Sequence, residues 1–366
     1  MTKQKRKFFI YFLIYITLKT KYFLIEKNKS YYNRGKIFNF IEVKDYREKE
    51  KLYISIDFGN YKSCYSYTFG DKNKIFTGKM GSIPSVVILN KSNNYKAKNY
   101  GWKSIHSLAN YNKKEKEQII FVNNLKLNLY NKKIGEKIKD EDVLYIDYYK
   151  LKGTSEFLRL FSDDILEEIN HLIPNENEKY SKAEVNWIIT APKIWDDYSK
   201  LNLIDCAREA GMTDIDLVLE SEASSLAFFE DKFIDNKFKE KGNNYMLVDL
   251  GEYTCDIIIN EIIDNCGNIR QRYPSFGDSF GSMNINNDLM DIIELILGND
   301  TIKEAKEKEL EEYLLTYNEI ENIKKIFVGT ETGYFEIYAK FQRNITLTWK
   351  DKISKFLKSF KMISFS

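Results

Sequence analysis

The chain has 366 residues, of which 43% are hydrophobic and 15% aromatic. This length permits two or three domains, and the aromatic content excludes global disorder. The 56 Lys and Arg residues against 54 Asp and Glu residues leave a net charge of +2, which gives no reason to expect a nucleic-acid partner.

Cysteine and histidine usage argues against two common kinds of site. The four cysteines form no CxxC pair, and neither histidine lies at zinc-ligand spacing from them. A structural zinc site and a Ser-His-Asp hydrolase are therefore both disfavoured. A few isolated thiols in a chain of this length are typical of reduced proteins, so we expect a cytoplasmic location.

Residues 1–50 are predicted to be an extension and linker outside the main domain. Basic residues precede an uncharged run from Phe8 to Leu18. That run is shorter than the roughly 20 residues of a membrane-spanning helix, which makes a membrane partner the less favoured interpretation. No small-residue cleavage site follows, although a signal or anchor remains the alternative.

The first folded segment is predicted to be a strand, a turn and a second strand. Tyr53–Gly59 alternates apolar and polar residues, and Cys64–Phe69 resumes an extended pattern. A further strand over Ser85–Leu89 follows Pro84, a residue suited to the start of a strand. Residues 91–150 are rich in Asn and Lys and are predicted to form an inserted subdomain.

The middle of the chain is predicted to alternate helices and strands. Apolar residues recur at helical steps over Phe157–Leu172. The elements that follow are a buried strand Ala183–Thr190, a helix capped by Asp196 or Asp197 and ended by Gly211, a strand Asp216–Leu219 and a helix Ala223–Phe229.

A strand–turn–strand pattern occurs twice. The form apolar-x-apolar-Asp-apolar-Gly is found at Ile54–Gly59 and again at Met246–Gly251. The charged segment Lys232–Asn244 separates the copies, so we predict a first lobe over residues 51–240 and a second lobe over 241–366. Two facing lobes of this kind would bring both turns to one cleft.

Two opposed Asp-Gly turns are suited to holding a magnesium nucleotide. Successive backbone N–H groups in such turns bind anions, and glycine lets the main chain approach a phosphate closely. The aspartates cannot bind phosphate directly, but they can hold Mg²⁺ through water or orient an attacking water.

Several segments, in order, resemble motifs of the 70-kDa heat-shock protein family, and most closely its divergent heat-shock 70 kDa protein 12 branch. They cover about residues 52–330 and correspond to the first phosphate loop, the connecting motif, the segment after it, the second phosphate loop and a Gly-Ser turn. These segments are Asp57–Tyr67, Trp187–Gly211, Leu219–Ala227, Asp249–Asp256 and Gly277–Ser282.

The resemblance implies an α/β fold, namely an actin-like ATPase domain with two ribonuclease-H-like lobes around a nucleotide cleft. ATP or ADP with Mg²⁺ would bind between the lobes, with Asp57 and Asp249 holding the metal through water. It also implies the following nucleotide contacts: Asp57, Gly59, Asn60, Tyr61, Gly251, Thr254, Gly281, Glu321, Lys324 and Lys325. Lys126, Glu220 and Asp249 would position the attacking water. The resemblance also implies protein clients or co-chaperones as partners.

The phosphate loops depart from the family pattern. Asn60 and Tyr61 stand where the first loop has two threonines, and Glu252 and Tyr253 replace two glycines of the second. A glutamate near a triphosphate adds like-charge repulsion on the order of 1 kcal/mol at ~4 Å even in water. No adenosine-binding Gly-Gly-x-Ser turn is found after residue 330, so the second lobe is expected to be incomplete.

Three functions remain open at this point. The first is a heat-shock-70-like ATP-binding protein with weak or absent hydrolysis. The second is a degenerate, non-enzymatic scaffold of the same fold that binds a protein partner, which the altered loops favour. The third, a sugar or metabolite kinase, has the least support because no catalytic Asp follows a Gly-rich turn in the second lobe.

Overall fold

The structure, a computed structural model, describes residues 50–70, 75–130, 140–230, 234–264, 268–278 and 281–326. The strands are β1 Leu52–Asp57, β2 Lys62–Phe69, β3 Phe76–Thr77, β4 Ile83–Pro84, β5 Val87–Asn90, β6 Lys96–Tyr100, β7 Ile119–Val122, β8 Val185–Ala191, β9 Asp214–Leu219, β10 Asn244–Leu250, β11 Cys255–Ile262, β12 Ile269–Gln271 and β13 Phe276–Asp278. The α-helices are α1 Gly101–Ser107, α2 Lys113–Glu117, α3 Leu125–Asn128, α4 Asp140–Asn170, α5 Asp197–Glu209, α6 Glu220–Glu230, α7 Met283–Leu297, α8 Asn299–Lys308 and α9 Leu310–Ile326.

The chain divides into two compact units. Among the described residues, those within 50–104 and 112–278 form unit 1, and those within 105–111 and 281–326 form unit 2. All three sheets described below belong to unit 1. The predicted lobes, 51–240 and 241–366, follow sequence motifs rather than compactness, and they stay a prediction.

The largest sheet has the strand order β3-β2-β1-β8-β9, with β4 pairing on β2. β1 is antiparallel to β2, whereas β8 and β9 run parallel to β1. This is the ribonuclease-H-like strand order that an actin-like ATPase lobe uses. The predicted α/β fold class is therefore confirmed.

Two smaller sheets complete unit 1. β6, β5 and β7 form an antiparallel sheet, of which β6 and β7 lie in the segment predicted to be an inserted subdomain and β5 directly precedes it. β10 and β11 form a second long hairpin, to which β12 and β13 add. The hairpin of β1 and β2 thus recurs near residue 250, as the repeated sequence pattern predicts.

The core of unit 1 lies between the large sheet and α4. All six residues of β1 and all seven of β8 are buried, as expected for central strands covered on both faces. The fully buried Phe157 on α4 lies 6.1 Å from the ring of Phe58 and 5.5 Å from that of Phe161. Apolar contact across this interface fixes the sheet that carries the first Asp-Gly turn.

Most of the predicted helix and strand positions are confirmed. The Asp196 side chain accepts a hydrogen bond from Ser199 N at 2.8 Å and caps α5, and Gly211 follows that helix with φ +92°. α4 ends at Asn170, so the predicted extension to Leu172 was wrong. The strand predicted over Ser85–Leu89 begins two residues later, at Val87 of β5, and the preceding Pro84 pairs with β2 as part of β4.

Unit 2 is helical in its described part. α7, α8 and α9 pack around a small apolar cluster of Met290, Ile293, Ile302, Ala305 and Ile320. Among the helices of the described ranges, none has the length and apolarity needed to cross a bilayer. The apolar run Phe8–Leu18 lies outside those ranges.

Replacing Phe157 with alanine tests the core assignment. We expect the free energy of unfolding to fall by about 3–5 kcal/mol, because a fully buried aromatic ring is lost and a cavity remains. Urea denaturation of the full chain measures the change. Tyr198→Ala is the control, since that side chain is 61% exposed and its loss should cost little; equal losses would contradict the assignment.

Candidate functional site

The parallel strands of the large sheet bring two acidic residues, Asp57 and Glu220, to one edge. β1 ends at Asp57, β8 ends at Ala191 and β9 ends at Leu219, directly before Glu220. Because parallel strands have their carboxyl ends at the same edge, Asp57 and Glu220 are neighbours despite their distance in sequence. Ligands of open α/β sheets bind at this edge.

Asp57 is buried and held by two neighbours. Its Oδ1 accepts a hydrogen bond from Thr190 Oγ1 at 3.3 Å, and the Cys64 thiol lies 3.9 Å from Oδ2. Thr190 Oγ1 also accepts the backbone N–H of Phe58 at 3.3 Å. These contacts fix the carboxylate at the point where β1 enters its turn.

Ser85 holds the turn after β1 by donating hydrogen bonds to two carbonyl groups of that turn. Its hydroxyl donates to the carbonyl of Gly59 at 2.7 Å, and its backbone N–H donates to the carbonyl of Tyr61 at 2.8 Å. The Ser63 hydroxyl lies 2.9 Å from that of Ser85. The turn predicted to face the phosphates is therefore held in one conformation by its carbonyl groups.

Lys126 and Glu220 form an ion pair in unit 1. Lys126 lies in the single-turn helix α3, and its Nζ contacts Oε1 of Glu220, the first residue of α6. Their side chains are only 13% and 15% exposed. The two residues predicted from the resemblance to position the attacking water are thus brought together.

Further carboxylates surround this pair. Burial raises the pKa of Glu220; the Lys126 ammonium opposes the rise, and the charges of Asp249 and Asp57 add to it. The two predicted metal-binding aspartates are therefore close enough to Glu220 for their charges to act on it. Asp57, Lys126, Glu220 and Asp249 form one site within unit 1.

Asp256 belongs to the same site and was missed among the predicted residues. Burial raises the pKa of Asp256, the Glu220 charge adds to the rise, and the Thr254 hydroxyl and Lys126 oppose it. Thr254 Oγ1 donates to its Oδ2 at 3.4 Å, while Oδ1 is buried with no hydrogen-bond partner. The signal was present, because Asp256 is the last residue of the segment that resembles the second phosphate loop.

Gly277 is a second residue that the sequence analysis did not single out. A Cβ at this position would lie 2.5 Å from Asp256 Oδ1 and 2.6 Å from Ile194 Cγ2. Real Cβ atoms essentially never approach so closely, so any other residue at this position would require the Asp256 carboxylate and the Ile194 side chain to shift. Its place in the Gly277–Ser282 motif gave no indication of this contact.

The cluster fits a hydrated divalent cation better than a directly ligated one. Within the described ranges, no group of three or more His, Cys, Asp or Glu side chains has metal-ligating geometry. The carboxylates nevertheless outnumber the single Lys126 ammonium, and Asp256 presents a buried oxygen without a partner. Mg²⁺ commonly keeps several waters, so Asp57 and Asp249 would hold it through them.

The second turn closes in spite of its altered residues. Gly251 N donates to the carbonyl of Thr254 at 2.8 Å, and a Cβ at Gly251 would lie 3.0 Å from that oxygen. Glu252 and Tyr253 are not among the described non-glycine residues with positive φ. The backbone of the turn therefore does not require glycine at these positions. Glu252 and Tyr253 can weaken phosphate binding only through the glutamate charge and through side-chain bulk that hinders the approach of a phosphate.

The predicted adenosine-side residues lie in unit 2. Glu321 Oε2 accepts a hydrogen bond from Asn286 Nδ2 at 2.8 Å and pairs with Lys324. Lys324 Nζ also donates to the carbonyl of Ser282 at 3.1 Å, next to the buried Gly281. These contacts join the start of α7 to α9. The side chain of Lys325 is outside the described part of the chain, and the roles of these residues stay predictions.

Comparison with known proteins finds distant relatives. The chain is 20% identical to heat shock 70 kDa protein 12A of Homo sapiens over 323 residues, covering 70% of this chain and 47% of that protein. The Mus musculus protein gives the same identity and coverage. The chain spans about half the length of these curated relatives. No protein-family model matches it.

Two solved structures also align with the chain. Crystal structures of MreB5 of Spiroplasma citri bound to AMPPNP and to ADP each give a TM-score of 0.41, with 14% and 13% identity. Each alignment covers 86% of this chain and 80% of the other. The sequence comparison supports a distant similarity to the 70-kDa heat-shock protein family, and assignment to the protein 12 branch stays a prediction.

Asp256→Asn tests the electrostatic description of the site. A carboxyl whose pKa is raised in the folded state contributes stability below its unfolded pKa and loses that contribution as pH rises through the folded pKa. The amide cannot ionise, so we expect a higher melting temperature than the wild type at pH 7 and no difference near pH 3.5. Asp205→Asn, at an exposed carboxylate paired with Arg208, is the control; an advantage of Asp256→Asn that is independent of pH would contradict the description.

Proposed function

We propose that this chain binds Mg-ATP or Mg-ADP and hydrolyses ATP weakly or not at all, as an actin-like protein related to the 70-kDa heat-shock family. The observation that carries the proposal is the Lys126–Glu220 pair among Asp57, Asp249 and Asp256. Perturbed, partly buried titratable groups at the carboxyl edge of a parallel sheet are typical of functional sites.

Each residue of the site would contribute to nucleotide binding according to its charge and its position. Lys126 supplies a positive charge beside Glu220 and Asp256, and Glu220 holds its ammonium in place. The turns beginning at Gly59 and Gly251 would present backbone N–H groups to phosphate oxygens. Bound Mg²⁺ would neutralise phosphate charge, and Asp57 and Asp249 would hold its waters. Any attacking water would be oriented by Lys126, Glu220 and Asp249.

Chaperone activity is a broader proposal. The chain spans about half of the heat shock 70 kDa protein 12A relatives, so the activity and partners of those longer proteins do not transfer to it directly. Protein clients or co-chaperones would be the partners if nucleotide binding controls an interaction. The cytoplasmic location follows from thiol usage alone and stays a prediction.

A second candidate, a scaffold that binds a protein partner, is favoured by an apolar face in unit 1. Met246, Val248 and Leu250 lie on one face of β10 and are 62%, 43% and 65% exposed. Phe276 on β13, opposite Ile257, is 59% exposed. Exposed apolar patches of this kind commonly mark interaction surfaces.

A thermal-melt series on the full chain tests nucleotide binding. A ligand that binds only the folded state stabilises it by RT ln(1+[L]/Kd), about 2.7 kcal/mol at a hundredfold excess over Kd. We expect the melting temperature to rise with Mg-ATP and Mg-ADP concentration, and this rise to be lost in Asp249→Asn and Asp57→Asn. Asp205→Asn should respond like the wild type. A cooperative melt that is unmoved by millimolar nucleotide would contradict the proposal and favour the scaffold.

Restoring the family's glycines should strengthen binding. In the double variant Glu252→Gly, Tyr253→Gly, both the repulsive charge and the bulky side chain are removed from the second turn. We expect the Kd for Mg-ATP to fall about ten- to a hundredfold, since each ~1.4 kcal/mol is a factor of ten. Titration calorimetry measures it.

Glu261→Gln is the matched control for that double variant. It removes a carboxylate farther along the same hairpin, where Glu261 pairs with Arg272. Its Kd for Mg-ATP should equal that of the wild type. Unchanged or weaker binding in the double glycine variant would mean that Glu252 and Tyr253 do not limit the site.

A further inference from the structure

Asn60 joins two segments that both belong to the candidate site. Its Oδ1 accepts the backbone N–H of Leu127 at 3.1 Å, and its Nδ2 donates to Asn124 Oδ1 at 3.2 Å. Asn60 is only 9% exposed. Its amide therefore bonds residues on both sides of Lys126, Asn124 before it and Leu127 after it.

The helix that carries Lys126 depends on such outside contacts. α3 has four residues, which is too short to be stable alone. It is preceded by Asn124 in the left-handed conformation, with φ 52° and ψ 38°. The fully buried Leu125 fixes one side, where its carbonyl accepts a hydrogen bond from Thr154 Oγ1 at 3.3 Å. Asn60 provides the described hydrogen bonds that join α3 to the turn after β1.

We infer that Asn60 is a positioning residue that holds Lys126 through α3 and does not contact phosphate. This inference rests on the proposed function for its consequence, because Lys126 matters as the group that would meet the terminal phosphate. Asn60 stands where the family has a threonine, and this positioning role replaces the nucleotide contact that the resemblance implies for it. A hydroxyl on Cβ is too short to bridge Asn124 and Leu127 as the amide does.

The consequence is a selective effect on triphosphates. If Asn60 acts through Lys126, loss of its amide frees the ammonium and weakens the contact to the terminal phosphate. We expect Asn60→Ala to raise the Kd for Mg-AMPPNP about tenfold and to change the Kd for Mg-ADP little. A direct contact between Asn60 and the β-phosphate would weaken both ligands alike.

The first experiment needs no nucleotide. Acylation of Lys126 is followed by mass spectrometry, and hydrogen exchange of the Leu127 amide is followed in parallel, in wild type and Asn60→Ala. Both should be faster in the variant, because the ion pair with Glu220 loses its support and the Leu127 N–H loses its acceptor. Asn128→Ala is the control, since Asn128 lies on α3 but its amide bonds Asn123. Unchanged rates would overturn the inference.

The second experiment is a double-mutant cycle of Asn60→Ala and Lys126→Met, read as Mg-AMPPNP affinity. Coupling is expected, so that Asn60→Ala costs little once Lys126 is gone. Additive losses would mean that Asn60 contacts the ligand itself and would overturn the inference. If the wild type binds no nucleotide, the proposed function fails, and the labelling and exchange rates still decide whether Asn60 positions Lys126.

Asn124→Gly covers the case in which Asn60→Ala does not fold. Glycine accepts the left-handed conformation of residue 124 without strain, and the substitution removes the side-chain amide whose oxygen accepts from Asn60. Partial loss of Lys126 protection is expected, because the bond from Leu127 N–H to Asn60 remains. Full protection of Lys126 together with unchanged Leu127 exchange would count against the inference.

Discussion

The candidate site depends on one interaction, the ion pair between the partly buried Lys126 ammonium and Glu220, which lies among several other carboxylates. Charges taken out of water are costly unless they are paired, and the Lys126–Glu220 pair offsets part of that cost. Burial raises the pKa of both Glu220 and Asp256. The charges of Asp249 and Asp57 add to the rise at Glu220, and the Glu220 charge adds to that at Asp256, so the folded chain holds these groups at the expense of stability. Repulsion of this kind, maintained at a sheet edge, is more readily explained by ligand binding than by folding.

The backbone brings these charges together through two devices. Parallel pairing of β1, β8 and β9 places Asp57 and Glu220 at one edge, whatever residues lie between them. The hairpin of β10 and β11 then supplies Asp249 and Asp256, which are Cα partners in its register. α6 connects the large sheet to this hairpin. Glu220 is its first residue, and the ring of Phe228 near its end stacks on that of Tyr245 in β10, with the ring centroids 4.6 Å apart. The site is thus assembled within one compact unit.

The sequence predicted more of the fold than of the site. Alternation of apolar residues and the repeated Asp-Gly pattern located both hairpins, and the Asp196 cap and Gly211 located α5. Periodicity could not place the start of β5 at Val87, because the pairing of Ile83 and Pro84 with β2 depends on residues about 20 positions earlier in the chain. Likewise, the motif pointed to Asn60 but could not indicate which residues its side chain hydrogen-bonds. Its contact with Asn124 and Leu127 joins segments far apart in sequence, and only the folded backbone brings them within hydrogen-bond distance.

The charges that suit a cation also determine which ligand the site would accept. Free nucleotide is a polyanion and would be repelled by Asp57, Glu220, Asp249 and Asp256, although Lys126 would attract it. Glu252 adds a further negative group at the second turn, which still closes through Gly251 and Thr254. The substitution thus preserves the hairpin while making the phosphate environment more negative. Nucleotide complexed with a divalent cation reduces this repulsion, so affinity at this site should depend on the cation more steeply than in a loop that keeps its glycines.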